Sequence, residues 1–443
     1  MINKGRMIKM SKAYNIPDLL DSLQLIPLDE DDIKDFYVDT TEARGEDAAG
    51  RIEYVLHNSR AENKKILFAG HIGSGKSTEL IKLTENLQNE YFAIYFSISK
   101  YVNVGEMSAV DVVFAMLKCT LDKMSLWRTD IDRDALNSII EYWKSEEIIT
   151  SEEENNLQID GEVGLSLSLF NFLSAKISGM LQQSSKSRSE TVLKVERSFD
   201  TFIRLINNFI ESLKQKLNGK NLLLIVDDLD KIDEKTAYEI FKEHCVTLTS
   251  INANIIYTFP VFMHYNPDYR YISMYFDESI ILSVIMTKTM SGNVYKKGIE
   301  TLRRIVFKRA DDKLFDKDCV DFAIMKSGGS IRILLTILRS ASICAGLRYA
   351  HNKTLTGKQI IIMDDIKRAY REYKSSAERS FNKKHLPLLK EIHTNKRVIT
   401  DADNVLVMEL FKTFAVIEYN CERWCDLNPA VLDYLIDLKE IEG

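Results

Sequence analysis

The stretch KILFAGHIGSGKSTELIKL, residues 65–83, decides the fold of this chain. Its first part, Lys65–Ala69, is a short apolar run, and Gly70–Ser77 matches the spacing G-x-x-x-x-G-K-[ST]. Glycines let such a loop wrap a phosphate with its backbone N–H groups, and the helix that begins there directs its positive end at the same phosphate. The order of strand, loop and helix predicts a site for ATP with magnesium.

Individual residues of this loop have expected roles. Lys76 is expected to reach the β- and γ-phosphates, and the Ser77 hydroxyl is expected to bind Mg²⁺. His71 is expected to be a spacer that faces solvent. The residues expected to contact the nucleotide are Gly70, Gly73, Ser74, Gly75, Lys76, Ser77 and Thr78.

A second segment supplies the carboxylates that a phosphate loop needs. The run Leu222–Val226 is the most apolar strand candidate in the chain, and Asp227 and Asp228 follow it directly. An ionised carboxylate is costly in an apolar core, so two of them at the end of a buried strand indicate the crevice where ligands of α/β sheets bind. We assign Asp227 to the Mg²⁺ shell and Asp228 to positioning the attacking water, with Asp230 as a weaker candidate for the same work.

Three further apolar runs complete the predicted sheet: Phe92–Ser97, Ala253–Thr258 and Ser279–Val284. Strands that alternate with helices predict an α/β fold with a parallel five-stranded sheet covered on both faces. Beyond Lys297 the strand pattern nearly vanishes, which predicts a helical lid. The predicted units are an N-terminal arm (1–35), a nucleotide-binding core (36–290) with an insertion at about 150–190, the lid (291–376) and a small C-terminal domain (377–443).

Composition and charge disfavour several classes of protein. The chain has 443 residues, a hydrophobic fraction of 45% and a net charge of −6, so no global positive field exists to hold nucleic acid or an anionic membrane. The six cysteines lie mostly in apolar patterns, and the pair Cys421 and Cys425 has no second pair nearby, which disfavours a zinc site. These features predict a reduced, cytoplasmic protein.

One segment, Val163–Leu181, approaches the length of a membrane span. Four serines, an asparagine and Lys176 interrupt it, and the N-terminus lacks the apolar region of a signal peptide, so we expect no contact with a membrane. The alternation of Leu165, Leu167 and Leu169 indicates instead a strand that leads into an apolar helix.

Two further features reach a family. The strand that ends in Thr258 is followed later by Ser327-Gly328-Gly329-Ser330-Ile331-Arg332, which opens a helix of the predicted lid. Together with the phosphate loop and the LLLIVDD segment, this resembles an AAA+-type ATPase, and more narrowly the STAND and initiator-like branch. The resemblance implies that Thr258 is sensor 1 and that Arg332 is sensor 2, which touches the γ-phosphate.

The resemblance also marks the segment that begins at Phe36, where such proteins have a loop that packs on adenine. It implies that Val38 and Arg44 contact the base. The sequence departs from the family in two respects: the second acidic residue is Asp228 rather than the usual glutamate, which puts fast turnover in doubt, and no arginine finger stands out. The candidates for that finger are Arg270, Arg303, Arg304 and Arg309.

The C-terminal residues 377–443 resemble a winged-helix module, with helices, a two-strand wing in FAVIEYN-CERWCDL and a final helix opened by Pro429. Basic residues concentrate just before the wing, which indicates either phosphate contacts to DNA or a solvated helix face, because acidic residues are interleaved with them. The composition favours the solvated face or a protein contact. Tyr419 and Trp424 are expected to pack the wing rather than to stack on bases.

Two functions from different classes remain open. The first is a switch that binds ATP and hydrolyses it slowly, in a bacterial signalling or antiviral defence system. Its nucleotide state would control either its own assembly into a homo-oligomer or a partner protein. The second is a DNA-binding initiator or loader of the AAA+ type, in which ATP controls loading. The acidic net charge favours the first, and a nucleotide kinase is the least favoured reading.

Overall fold

The computed structural model describes residues 10–59, 62–127, 133–149, 165–183, 185–351, 359–398, 404–420 and 422–442. Its strands are β1 (Lys65–Gly70), β2 (Tyr91–Ser97), β3 (Asn221–Asp227), β4 (Asn254–Pro260), β5 (Glu278–Ile281), β6 (Val416–Tyr419) and β7 (Trp424–Leu427). Its helices as far as β5 are α1 (Leu19–Ser22), α2 (Glu30–Phe36), α3 (Thr41–Arg44), α4 (Ala48–Asn58), α5 (Lys76–Leu87), α6 (Ala109–Trp127), α7 (Arg133–Ser145), α8 (Leu165–Leu181), α9 (Ser185–Glu196), α10 (Phe199–Lys214), α11 (Glu234–Tyr238), α12 (Cys245–Thr249) and α13 (Tyr269–Ser273). Those that follow are α14 (Lys296–Arg309), α15 (Cys319–Ser327), α16 (Ile331–His351), α17 (Met363–Ala377), α18 (Leu386–Asn395), α19 (Asn404–Lys412) and α20 (Pro429–Asp437).

The first five strands form one parallel sheet in the order β2-β3-β4-β1-β5. This confirms the predicted parallel five-stranded sheet, and with it the P-loop NTPase fold. Parallel strands are covered on both faces, which explains why the strand sequences read as nearly continuous apolar runs. Along β3, Leu222, Leu224 and Val226 pack in the large core on one face, while Leu223 and Ile225 pack in a smaller core on the other.

Because the strands are parallel, the carboxyl ends of β1 and β3 lie on the same side of the sheet. β4 lies between these two strands, and Gly70 at the end of β1 is opposite Pro260 of β4. Asp227 at the end of β3 is opposite Ser97 of β2. The phosphate loop and the acidic turn therefore open into the same crevice, as the doubly wound topology requires.

Helices α14 to α17 form a second core, and the N-terminal residues belong to it. Ala13, Ile16 and Leu19 pack in the same apolar cluster as residues of these helices. The backbone of Ala13 accepts from Asp311 N at 2.9 Å and donates to Arg309 O at 2.8 Å. The N-terminal residues predicted to form an arm are thus attached to helices α14 to α17 by apolar packing and backbone hydrogen bonds.

One expectation about the apolar segments needs correction. Leu165–Leu169 is helical and forms the beginning of α8, where a strand was expected. Within the predicted insertion, residues 150–164 and Ser184 lie outside the described part of the chain. Among the described helices, Ile331–His351 rather than Val163–Leu181 is long and apolar enough to cross a membrane by length and composition, and half of that apolar stretch, 50%, is buried in the lid.

The C-terminal domain contains α18, α19, the antiparallel pair β6-β7 and α20. Tyr419 and Trp424 are buried and stack with ring centroids 4.3 Å apart, which confirms that they pack the hairpin. The domain also packs on the core, where Phe411 stacks on Tyr265 at 4.1 Å between centroids and the Tyr265 hydroxyl donates to Glu418 at 2.5 Å. Cys421 lies outside the described residues, and Cys425 is a buried free thiol.

Candidate nucleotide-binding site

The phosphate loop closes tightly between β1 and α5. Gly73 and Gly75 have φ angles of 86° and 108°, a conformation that side chains with a Cβ rarely adopt. A Cβ on Gly73 would lie 2.4 Å from the Cβ of Arg332, whose backbone N donates to Gly73 O at 3.3 Å. Gly73 therefore serves two purposes, because it permits the turn of the loop and lets Arg332 of the lid pack directly on it.

Lys76 is held inside the loop by three acceptors. Its Nζ donates to Gly70 O at 2.7 Å and to His71 O at 3.0 Å, and it forms an ion pair with Asp230 at 2.8 Å. The Lys76 and Asp230 side chains are only 5% and 4% exposed. A buried charge is tolerated when it is paired and hydrogen-bonded, so Asp230 holds the lysine in place. The structure thus brings Asp230, the weaker of the sequence candidates, into the phosphate site.

Asp227 lies beside the start of α5, as expected for a magnesium ligand. Its carboxylate accepts hydrogen bonds from the Tyr95 hydroxyl at 2.6 Å, from Asp228 N at 2.7 Å and from the Ser77 hydroxyl. Burial, and then the nearby charge of Asp230, raise the pKa of Asp227. Sequence reasoning missed Tyr95, although a tyrosine near the end of the strand that pairs with β3 was a usable signal.

The acidic turn suits a hard cation. Carboxylate oxygens of Asp227, Asp228 and Asp230 all lie within 4.8 Å of one another, and oxygen donors are what Mg²⁺ prefers. Ser77 and Asp227 would hold the ion at the mouth of the loop. There Mg²⁺ would neutralise charge on the phosphates, while Lys76 and the backbone N–H groups of the loop orient them.

The Asp228 carboxylate is held by side chains at the end of β2 and by Lys231. The backbone of Asp228 is in the left-handed conformation, with φ 73°. Its carboxylate accepts hydrogen bonds from the Ser97 and Ser99 hydroxyls and forms an ion pair with Lys231. Burial alone would raise the pKa of Asp228, but the hydrogen bonds from Lys231, Ser97 and Ser99 outweigh it and lower the pKa. The residue assigned to water positioning is therefore bound to groups at the end of β2.

Thr258 of β4 is fully buried, with 0% exposure, beside the end of β3. Its hydroxyl accepts from Leu229 N at 2.9 Å and donates to Val226 O at 3.3 Å. These bonds fix the backbone on both sides of Asp227. A direct contact between Thr258 and a γ-phosphate would require them to rearrange.

A cavity of about 350 Å³ extends from the phosphate loop toward the lid. Gly73, Gly75–Thr78, Asp230 and Arg332 line one part of it. The apolar part of its wall is formed by Leu25, Leu28, Val38, Ile305 and Leu335. Of these only Val38 was expected from the sequence, because the others come from the N-terminal residues and from α14 and α16.

Arg44, expected to contact the base, is buried beneath the phosphate loop and also lines the cavity beside it. Its guanidinium donates to Thr40 Oγ1 at 2.7 Å, to Ser74 O at 2.7 Å and to Ser283 O. Thr40 in turn donates to the Glu79 carboxylate of α5 at 3.2 Å. The Arg-Gly segment therefore contributes to the site by supporting the shape of the loop.

His71 contradicts the expectation that it faces solvent. The side chain is 2% exposed, and its Nε2 accepts a hydrogen bond from Glu418 N at 3.1 Å. The ring lies edge-on to Phe414 at 4.7 Å and stacks on Phe411 at 5.8 Å between centroids. Burial, and then the charge of Lys76, lower the pKa of His71 to about 3. A residue of the phosphate loop is thus part of the C-terminal domain's core.

The C-terminal domain makes a second contact near Arg332. The Tyr419 hydroxyl donates to Gly328 O at 2.9 Å, in the turn that precedes α16. That turn requires glycine, because a Cβ on Gly329 would lie 1.7 Å from Ile285 O. The hairpin β6-β7 therefore touches both elements predicted to contact the phosphates, the loop and the start of α16.

The four candidate arginine fingers differ in their surroundings. Arg303 is paired with Asp321, its Nε donating to the carboxylate at 2.5 Å. Arg309 is buried in the lid, so it does not present itself to a neighbouring subunit. Arg270 and Arg304 are exposed.

Residues 47–257 match a known family, described as the KAP family P-loop domain. Among solved structures, the chain is similar to Cdc6p from Pyrobaculum aerophilum, with a TM-score of 0.38 and 11% identity over 89% of this chain and 94% of that one. It is also similar to the RuvB Holliday junction branch migration motor of Thermotoga maritima, with a TM-score of 0.38 and 10% identity over 95% and 99% of the two chains. No curated protein matches the sequence. The chain contains a P-loop NTPase domain.

Proposed function

We propose that this P-loop NTPase is an ATP-dependent switch, in which the nucleotide state controls how the C-terminal domain is held and thereby assembly with further copies or a partner protein. One observation carries the proposal: His71, inside the phosphate loop, is buried in the C-terminal domain against Phe411 and Phe414. The residues expected to take part in ATP hydrolysis are Asp228, Thr258 and Arg332, and the expected cofactors are ATP and Mg²⁺.

The coupling follows from the hydrogen bonds of the loop. The carbonyl groups of Gly70 and His71 both accept from Lys76. A bound phosphate competes for the same ammonium group, so the bonds of His71 change when a nucleotide binds. The Tyr419 hydrogen bond to Gly328 lies just before the helix that carries Arg332. Because Arg332 is expected to contact the γ-phosphate, binding of ATP is expected to change this second contact of the C-terminal domain as well.

Hydrogen exchange tests this proposal directly. We expect amides of residues 404–420 to exchange at different rates with no nucleotide, with ADP and with a non-hydrolysable ATP analogue. His71→Gln should remove most of the difference between the nucleotide states. His57→Gln is the matched control, because His57 lies on α4 beside Glu90 and contacts no described residue of the C-terminal domain. Equal exchange in all three states would reject the switch.

The same contact predicts a dependence on pH. His71 has a pKa of about 3 when buried, whereas an exposed imidazole has about 6.5. Protonation therefore favours release of the ring, so the stability that the contact contributes is present above pH 6.5 and is lost as the pH falls toward 3. Each pH unit below 6.5 weakens the packing of the C-terminal domain on His71 by about 1.4 kcal/mol.

The measurement is exchange of the 404–420 amides in nucleotide-free protein at pH 7.5 and pH 5.5, corrected for the intrinsic pH dependence of exchange. We expect about a tenfold gain in opening at pH 5.5 in the wild type and a flat response in His71→Gln. The same response in both proteins would show that another group senses the proton.

Hydrolysis by the isolated chain is expected to be slow and to rise on assembly. The Asp228 carboxylate is bound to Ser97 and Ser99, and an arginine supplied by another subunit can accelerate phosphoryl transfer about 10³-fold. Specific activity should therefore increase with protein concentration across a dilution series. Arg270→Ala and Arg304→Ala test the two exposed arginines. A high rate that stays constant on dilution, with no partner present, would show that one chain holds the complete active site.

The DNA-binding alternative gains no support from the described residues. Several basic side chains near the C-terminal domain are paired with carboxylates, as in Lys374 with Asp437 and Lys390 with Glu440. Arg348 is likewise paired with Asp365 at 2.8 Å. Paired cations release fewer counterions on binding phosphate, so these residues fit the solvated helix face better.

A further inference from the structure

Arg309 is a buried cation at the end of α14 that the roles above leave unused. It is 6% exposed and lines the cavity that extends from the phosphate loop. Its backbone is fixed, because Arg309 O accepts from Ala13 N at 2.8 Å. The side chain is therefore presented to the cavity from an anchored position.

Part of the hydrogen-bonding capacity of this guanidinium has no acceptor among the described residues. Nη1 donates to Ile305 O in its own helix at 3.3 Å, and Nε has no partner among the described residues. Burial lowers the pKa of Arg309 to about 10, while Asp32 opposes that shift, so the group stays protonated at neutral pH. The Nε N–H of Arg309 is a buried charged donor without an acceptor, which is costly and indicates that a ligand supplies one.

The surroundings of Arg309 indicate which part of the ligand would lie beside it. Ile305 lies one turn earlier on the same side of α14 and shares an apolar cluster with Val38 and Leu335. All three line the same cavity as Arg309. The phosphates are already provided for by Lys76 and the loop at the other part of the wall. Apolar walls beside a buried charged donor suit an aromatic base that offers a ring-nitrogen acceptor.

We propose that Arg309 reads the base of the bound nucleotide by donating a hydrogen bond to a ring nitrogen of adenine. The inference rests on the proposed function, since it requires that the chain bind ATP. It gives different roles to two of the arginines that line the cavity. Arg332 contacts the phosphate loop and is expected to distinguish ATP from ADP, whereas Arg309 acts on both nucleotides equally.

The test is a double-mutant cycle between the arginine and the base. Binding of ATP and of its 1-deaza, 3-deaza and 7-deaza analogues is measured by calorimetry for the wild type and for Arg309→Met. One analogue should bind the wild type about tenfold more weakly than ATP does, which is the loss expected for one hydrogen bond from a charged donor. Arg309→Met should lose a similar factor for ATP and for ADP, and no further factor for that analogue.

Lys308→Met is the matched control, because Lys308 is an exposed neighbour on α14, and its binding of all four nucleotides should equal that of the wild type. If Arg309→Met does not fold, Arg309→Lys replaces it, since an ammonium group keeps the charge but loses the planar fork, and the analogue discrimination should fall in the same way. Additive losses for all three analogues, or unchanged ATP affinity, would overturn the role of Arg309 while leaving ATP binding intact. A wild type that binds no ATP would overturn the proposed function and this inference together.

Discussion

Replacing Lys76 with alanine is expected to abolish nucleotide binding, with a loss of at least about 100-fold in affinity for ATP. Lys76 is the buried cation at the centre of the loop, and its Nζ lies within hydrogen-bonding distance of Gly70 O, His71 O and Asp230. A phosphate placed there exchanges those acceptors for its own oxygens. Without the ammonium group, the phosphate charge lies next to the unpaired carboxylate of Asp230 and loses its nearest cation in the loop.

The same ion pair creates a side effect that the experiment must separate. Removing Lys76 leaves Asp230 buried without its partner, and an unpaired buried charge costs about 3–5 kcal/mol. The double variant with Asp230→Asn relieves that cost, so thermal unfolding should recover toward the wild type while ATP binding stays absent. Lys82→Ala is the control, because Lys82 lies on the same helix and pairs with Glu85 at 2.8 Å. Calorimetric titration that shows wild-type affinity in the double variant would remove the loop from the nucleotide site.

The second large effect concerns Asp228. Asp228→Asn is expected to keep ATP bound and to slow its hydrolysis by about 10² or more, because an amide cannot accept a proton from water as a carboxylate does. The bonds from Ser97 and Ser99 imply that Asp228 must be released before it can act. Ser97→Ala combined with Ser99→Ala should accordingly raise the basal rate.

Phosphate release in single-turnover experiments measures both effects without interference from product dissociation. Asp230→Asn is the comparison, since Asp230 lines the cavity and pairs with Lys76. A wild-type rate in Asp228→Asn together with a slow rate in Asp230→Asn would transfer water positioning to Asp230. Unchanged hydrolysis in the serine double variant would show that its hydroxyls do not restrain the carboxylate.

Features encoded within one short stretch were predicted from the sequence. The glycine spacing of the phosphate loop, the apolar run before Asp227 and the alternation of strands and helices each depend on neighbouring residues. The structure has the expected five-stranded sheet, with Asp227 beside Ser77. Local patterns suffice here because backbone conformation and strand burial are set by residues that are close in sequence.

Only the tertiary structure decided how these parts are connected. His71 is a histidine in a polar loop by sequence, yet its ring is buried by residues more than 300 positions later, with Glu418 N donating to it across 347 positions. The apolar wall near Arg309 is likewise assembled from Leu25, Val38, Ile305 and Leu335. Such contacts follow from how whole elements pack, and no local periodicity records which distant side chains will meet. The sequence by itself therefore determined that this chain has a phosphate loop, whereas packing decided that the loop is joined to the C-terminal domain and which side chains line the cavity beside it.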